Sequence, residues 1–169
     1  MPVSASLSMA ATVQQTKTLD LTTVSDPLTF RRAVQLSTGT GAGQADKVFH
    51  DRRTLAASAT EDLDLAGVLS DAFGAGITFA RIKGLYIAAS AANANNVVVG
   101  AAASNAWATL LNATGTITLR PGASFGAMAG PADGTGWAVT AGTGDLLKVA
   151  NSAGGTGVDY DVIIVGASA

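Results

Sequence analysis

The feature that most constrains this chain is the period of its apolar residues. They alternate with polar ones in short runs, and each run is cut by Gly, Pro, Asn or Asp. A period of two puts successive side chains on opposite faces of an extended strand. The helical period is scarce. Its best match is Leu65 to Phe73, where Leu65, Val68, Leu69 and Ala72 share a face and Gly74 offers a C-cap. Elsewhere about eight short strands recur every 8–12 residues with turn signals between them, so the expected class is all-β, with a jelly-roll or β-sandwich body.

The strand signals of the body begin with Val48 to Leu55 and Thr60 to Leu65. In the second, Leu63 and Leu65 face in while Asp62 and Asp64 face out. In Thr78 to Ala89 the parity of the apolar residues switches between Ile82 and Leu85, with Gly84 at the switch. A bulge there would put the large apolar residues on one face and leave Arg81, Lys83 and Tyr86 on the other. Val97 to Val99, a stretch around Trp107, Gly115 to Leu119, Gly136 to Thr140 and Leu146 to Val149 follow. The last strand, Val158 to Gly166, has Val158, Tyr160, Val162 and Ile164 on one face. Its other face starts with Asp159 and Asp161 and ends with Ile163 and Val165, so that end needs a cover from the arm, a loop or another subunit.

The first 43 residues read differently and divide the chain into an arm with a hinge (1–43) and a body (44–169). Met1 to Gln15 is small and polar and reads as mobile. Lys17 to Thr22 alternates, with Leu19 and Leu21 on one side. Leu28, Phe30, Val34 and Leu36 form one face of a second run that Arg32 interrupts, and Arg31 points the other way. Gly39, Gly41 and Gly43 read as a flexible tether. The expectation is an extended arm, disordered in the free protein, that lies on neighbouring chains.

Composition narrows the function. Charged residues make up only 13% of the chain, about half the usual share, and the mean hydropathy is +0.35. A free monomer usually carries more charge, so much of this surface is expected to be covered by neighbours. No apolar run reaches the ~18 residues of a membrane span, and no secretory signal is apparent at the N-terminus. With 12 acidic and 10 basic residues, the latter scattered, no basic stripe for nucleic acid exists. Cysteine is absent, which leaves the redox compartment open.

Groups for catalysis are few. His50 is the one histidine and Glu61 the one glutamate. Asp51 follows His50, but strand neighbours point to opposite faces, and no Gly-x-Ser-x-Gly elbow occurs. Asp62 and Asp64 lack the remaining ligands of a calcium loop, and the glycine-rich stretches lack a Walker lysine, so they read as turns. Trp107 and Trp137 suit core packing better than sugar stacking. The chain is therefore read as non-enzymatic, with no cofactor and no metal.

Several stretches together carry a resemblance. They are Ala45-Asp46-Lys47-Val48, Asp51-Arg52-Arg53-Thr54-Leu55, Asp62-Leu63-Asp64-Leu65-Ala66-Gly67, Asp71-Ala72-Phe73-Gly74 and Phe79-Ala80-Arg81-Ile82-Lys83. Later ones are Pro121-Gly122, Thr140-Ala141-Gly142-Thr143-Gly144-Asp145, Asn151-Ser152 and Tyr160-Asp161-Val162-Ile163-Ile164-Val165-Gly166. Over about residues 45–168 the chain resembles small virion structural proteins of tailed bacteriophages, of the capsid decoration or cement type. That resemblance implies a β-sandwich or jelly-roll body, a homotrimer, and the major capsid protein as partner. It also implies a place on the capsid surface of a particle made in the host cytoplasm. The expected contact residues are Leu19, Leu21, Leu28, Phe30, Arg31, Arg32, Val34, Leu36, Ile163 and Val165. A tail, baseplate or receptor-binding protein and a small carbohydrate-binding module are the alternatives.

Overall fold

The computed structural model describes residues 2–169 and is all-β. Its elements in chain order are β1 (Ala5–Thr18), β2 (Thr23–Thr38), β3 (Gln44–Ala45), β4 (Lys47–Leu55), β5 (Thr60–Asp64), β6 (Arg81–Ala89) and β7 (Val97–Gly100). A single helical turn, α1 (Ala108–Leu111), comes next. Then follow β8 (Thr116–Leu119), β9 (Ser124–Met128), β10 (Trp137–Ala138), β11 (Leu146–Asn151) and β12 (Val158–Ala167).

The body is two sheets face to face. One has the order β10-β6-β12-β4, with β9 pairing the same side of β6 as β10, and the other has the order β5-β11-β7-β8. The chain pairs as a two-ply ribbon rolled up: β4 with β12, β5 with β11, β6 with β9 and β7 with β8, all antiparallel. The core lies between the sheets, where Leu63, Ile82, Leu85, Ile87, Val149, Val162 and Ile164 are all buried. Alternation builds this directly. The even residues Val158 to Ile164 of β12 are inside, and Leu63 and Leu65 point in.

The parity switch at Gly84 is a bulge. In the β6–β12 ladder Gly84 pairs with Val165 and Ile82 with Gly166, so Lys83 is the extra residue. This is why Ile82, Leu85 and Ile87 all reach the same core. Lys83 is itself buried, and its Nζ donates to the Asp133 carbonyl at 2.6 Å. Burial pulls the Lys83 pKa below its usual range.

Leu65 to Phe73 is not a helix. Its backbone groups bond other segments instead: Leu65 N to Asp145 O, which extends the β5–β11 pairing, and, from the returning chain, Ile77 N to Leu69 O and Phe79 N to Leu65 O. Asp64 and Asp71 close turns, accepting from the N–H groups of Ala66 and of Phe73 and Ala75. Leu65 and Leu69 still plug the core, but Val68 and Phe73 are exposed. The stretch at Trp107 runs into the helical turn rather than a strand, and Gly136 to Thr140 shrinks to Trp137–Ala138. Trp107 is buried, and its Nε1 donates to Ala138 O at 2.9 Å.

The N-terminal region departs most from the sequence reading. Residues 2–15, read as mobile with Met1 (which lies outside the described residues), mostly belong to β1, which pairs with β2 along its whole length. The arm is one long hairpin. Lys17 to Thr22 is its end and loop, not a separate strand, and Leu19 N donates to Thr22 O at 2.7 Å. The glycine tether is pinned: Ser37 N bonds Gly43 O, Gly39 N bonds Ala45 O, and Gly41 N bonds Gln44 Oε1. It closes a turn that returns β3 parallel to the end of β2.

Candidate assembly surface

Directly opposed residues of an antiparallel pair share a face. The register of β1 and β2 therefore sorts the hairpin into two faces. One carries Ala5/Leu36, Leu7/Val34, Met9/Arg32, Ala11/Phe30, Val13/Leu28, Gln15/Asp26 and Lys17/Val24. The other carries Ser6/Gln35, Ser8/Ala33, Ala10/Arg31, Thr12/Thr29, Gln14/Pro27 and Thr16/Ser25. The first is apolar except for Gln15, Lys17, Asp26 and Arg32. The second is small and polar, with side chains bonded across it from Gln35 to Ser6 and from Gln14 to Ser25.

The apolar face has two fates. At its base Leu7, Val34 and Leu36 are buried with Ala45 and Val165 and pack against Val48, Tyr86 and Met128. Leu7 rests on Gly84, where a Cβ would lie 2.6 Å from Leu7 Cδ1. One pair further out the face leaves the body. Met9 is 48% exposed, Phe30 43%, Val13 55%, Leu28 58% and Val24 52%. Leu21 in the loop is 99% exposed and Leu19 43%. An apolar stripe, interrupted by Arg32 and by Gln15, Asp26 and Lys17 toward the tip, thus runs from a buried foot to an exposed loop. Arg32 lies over the Phe30 ring, its guanidinium carbon 4.8 Å from the centroid.

Where the hairpin leaves the body, a groove of about 470 Å³ opens between Met9 and the outer face of the β6–β12 sheet. Its lining includes Ile87, Phe125, Asp161 and Ile163. Asp161 is held in a two-pronged pair with Arg52, at 2.7 Å to Nε and 3.1 Å to Nη2, which lowers its pKa. Tyr86 also lines the groove; burial raises its phenol pKa, and a backbone hydrogen bond with Ser8 works against that shift.

The expected contact residues therefore separate. Leu19, Leu21, Leu28, Phe30 and Arg32 lie on the loop or the free stripe, and Arg31 lies on the polar face. Val34, Leu36 and Val165 are not free surface: they are buried where the hairpin docks on its own body. The cover that Val165 needed is the arm of the same chain. Ile163 remains 44% exposed in the groove. Met9, Val13 and Val24 belong to the stripe and were missed, although Leu7, Met9, Ala11 and Val13 alternate in the sequence.

His50 is exposed on β4. Glu61 has a structural place: it accepts a 2.7 Å hydrogen bond from the buried Tyr160 hydroxyl and pairs with Arg53 at 3.5 Å. Among the described residues no group of three or more His, Cys, Asp or Glu side chains is arranged to hold a metal. Comparison with known protein families, curated proteins and solved structures returns no match.

Proposed function

We propose that the chain is a capsid decoration (cement) protein of a tailed-bacteriophage particle, and that it ties neighbouring subunits together through its hairpin. The observation that carries the reading is the apolar stripe beyond Met9 and Arg32, which nothing among the described residues covers. A long uncovered apolar surface on a chain of low charge marks an association site. Among the described residues both outer edges of the projecting hairpin also lack a strand partner, since there β1 pairs only with β2, and β2 meets β3 only at Ser37 and Thr38. Such edges offer main-chain hydrogen bonds to a neighbouring sheet.

The nested pairing of β4 with β12 down to β7 with β8 suits a jelly-roll body, and that compatibility supports the cement reading. In this function the body seats on the shell, three copies to a site, and the hairpin reaches across to the next subunit. Each contact is weak, and several per particle add by avidity. The chemistry is mechanical: a pressurised shell is resisted by ties between capsomers.

The test is rebinding to purified heads that have been stripped of the protein. Full-length chain is expected to saturate them, and a chain with a shortened hairpin to need at least about tenfold more protein. Gold labelling of intact particles separates this from the runner-up reading: label at the tail or baseplate instead of the head would replace the cement function by a tail one.

A further inference from the structure

We propose that β8, an uncharged open edge of the body, pairs antiparallel with β8 of a second copy of this chain about a two-fold axis at Ile117. The surface is separate from the hairpin, and the inference does not rest on the capsid reading.

The charge of the chain is unevenly placed. Between Lys83 and Asp145 the only charged residues are Arg120 and Asp133. The two lateral sides of the sandwich therefore differ. One side is formed by the edge strands β4 and β5, which meet through the Arg53–Glu61 pair. They carry Asp51, Arg52, Arg53, Glu61, Asp62 and Asp64. The other side is formed by β8 and β9, with no charged residue in either strand. β9 is partly occupied, since the hairpin foot packs on its Met128.

An open strand edge normally carries charge, proline or a bulge that keeps other strands away. β8 is Thr116-Ile117-Thr118-Leu119 and has none of these; Arg120 and Pro121 come only after its end. Among the described residues it pairs only with β7. Thr116 and Thr118 are exposed, and Ile117 packs against the core but is left half-buried.

An antiparallel ladder is itself two-fold symmetric, so an open edge is complementary to its own copy in main-chain hydrogen bonds. Side-chain charge decides which edge can use this, because directly opposed residues share a face. Centring β4 on Asp51, Arg52 or Arg53 sets that charge against itself. Centring β5 on Glu61 or Asp62 does the same, and centring it on Leu63 sets Asp62 against the partner's Asp64. Centring β8 on Ile117 sets Ile117 against the partner's Ile117 and Thr116 against the partner's Thr118. Arg120 and Pro121 stay beyond these pairs. The β5-β11-β7-β8 sheet then runs on into the partner's sheet, and Ile117 gains a cover.

Sedimentation and amide exchange of the full chain, without any particle, test it. Wild-type protein is expected to dimerise weakly, with a Kd of about 100 µM, as suits a small interface. Thr116→Lys with Thr118→Lys sets lysine against lysine and is expected to weaken the dimer about tenfold or more. Thr116→Asp with Thr118→Lys sets opposite charges together and is expected to dimerise at least as tightly as wild type. Urea midpoints close to wild type verify that both variants stay folded. Raising the wild-type concentration should slow exchange of the β8 amides and leave those of Met9 to Phe30 unchanged. A wild-type chain still monomeric at about 500 µM overturns the proposal. So does a dimer indifferent to the paired lysines, or an Asp–Lys variant no tighter than the Lys–Lys one.

Discussion

Gly84 meets two demands at once: it allows the β6 bulge, and it leaves room for Leu7. Gly84→Ala is expected to push the hairpin foot off the sheet and cost about 1–3 kcal/mol in urea unfolding. Leu7→Ala alone should cost about 2–5 kcal/mol. Because the two atoms compete for one space, the double variant should fall short of the sum by about 0.5–3 kcal/mol. An additive pair would mean that Leu7 is not seated there. A second residue-scale prediction concerns Tyr160, whose hydroxyl joins the two sheets through Glu61. Burial first, then the hydrogen bond to Glu61, raises its pKa far above the ordinary value. A phenol whose folded pKa is raised lends stability that is whole below the unfolded value near 10 and is lost as pH rises beyond it. Urea midpoints should therefore fall above pH ~10, and Tyr160→Phe should flatten most of that slope. Tyr86 shifts in the same direction and should supply what remains. At neutral pH Tyr160→Phe leaves a Glu61 oxygen short of a donor, at a cost of about 1–2 kcal/mol.

At the scale of elements, the strands that alternate large apolar residues with polar ones were legible in the sequence. So was the bulge, because a parity switch has only one remedy in a buried strand. The elements that were not legible share a cause. β1 has the right period, but its small Ser, Ala and Thr residues hide it, and its loop Leu19-Asp20-Leu21-Thr22 contains no Gly, Asn or Pro to mark a turn. β9 is mostly small residues whose strand state comes from pairing with β6 rather than from propensity. Leu65 to Phe73 has helical spacing, yet its carboxylates and the sandwich take its backbone groups. The candidate surface was half legible for the same reason: β2 supplied Leu28, Phe30 and Arg32, and its partner strand was overlooked. The hairpin's exposure gives an element-scale prediction. In a monomeric variant, amides from Met9 to Phe30 should exchange far faster than those of Leu7 and Val34, which are held by buried packing. Binding to heads should slow the outer amides selectively; uniform slowing over the body would point to a different interface.

At the scale of the molecule, the boundary between arm and body decides which truncation is informative. Residues 8–33 are exposed throughout, whereas Leu7, Val34, Leu36 and Ala45 are part of a buried cluster over Val165. Cutting away residues 1–43 thus removes the cover of the β6–β12 sheet. Each of the larger apolar side chains lost carries about 1.5–3 kcal/mol of burial. Val48, Tyr86, Met128 and Val165 would be left facing water, so that truncation should destabilise and aggregate the body rather than yield a clean adaptor without its clamp. Joining Ser8 to Ala33 through Asn-Gly, a turn suited to a two-residue hairpin, keeps the foot and removes only the free stripe. The shortened chain should unfold cooperatively within about 1 kcal/mol of wild type, because no buried side chain is lost. It should also bind heads poorly. A shortened chain that still binds them as tightly would place the capsid contact on the body. One that unfolds several kcal/mol more easily would mean that the outer hairpin supports the fold and is not a surface kept free for a partner.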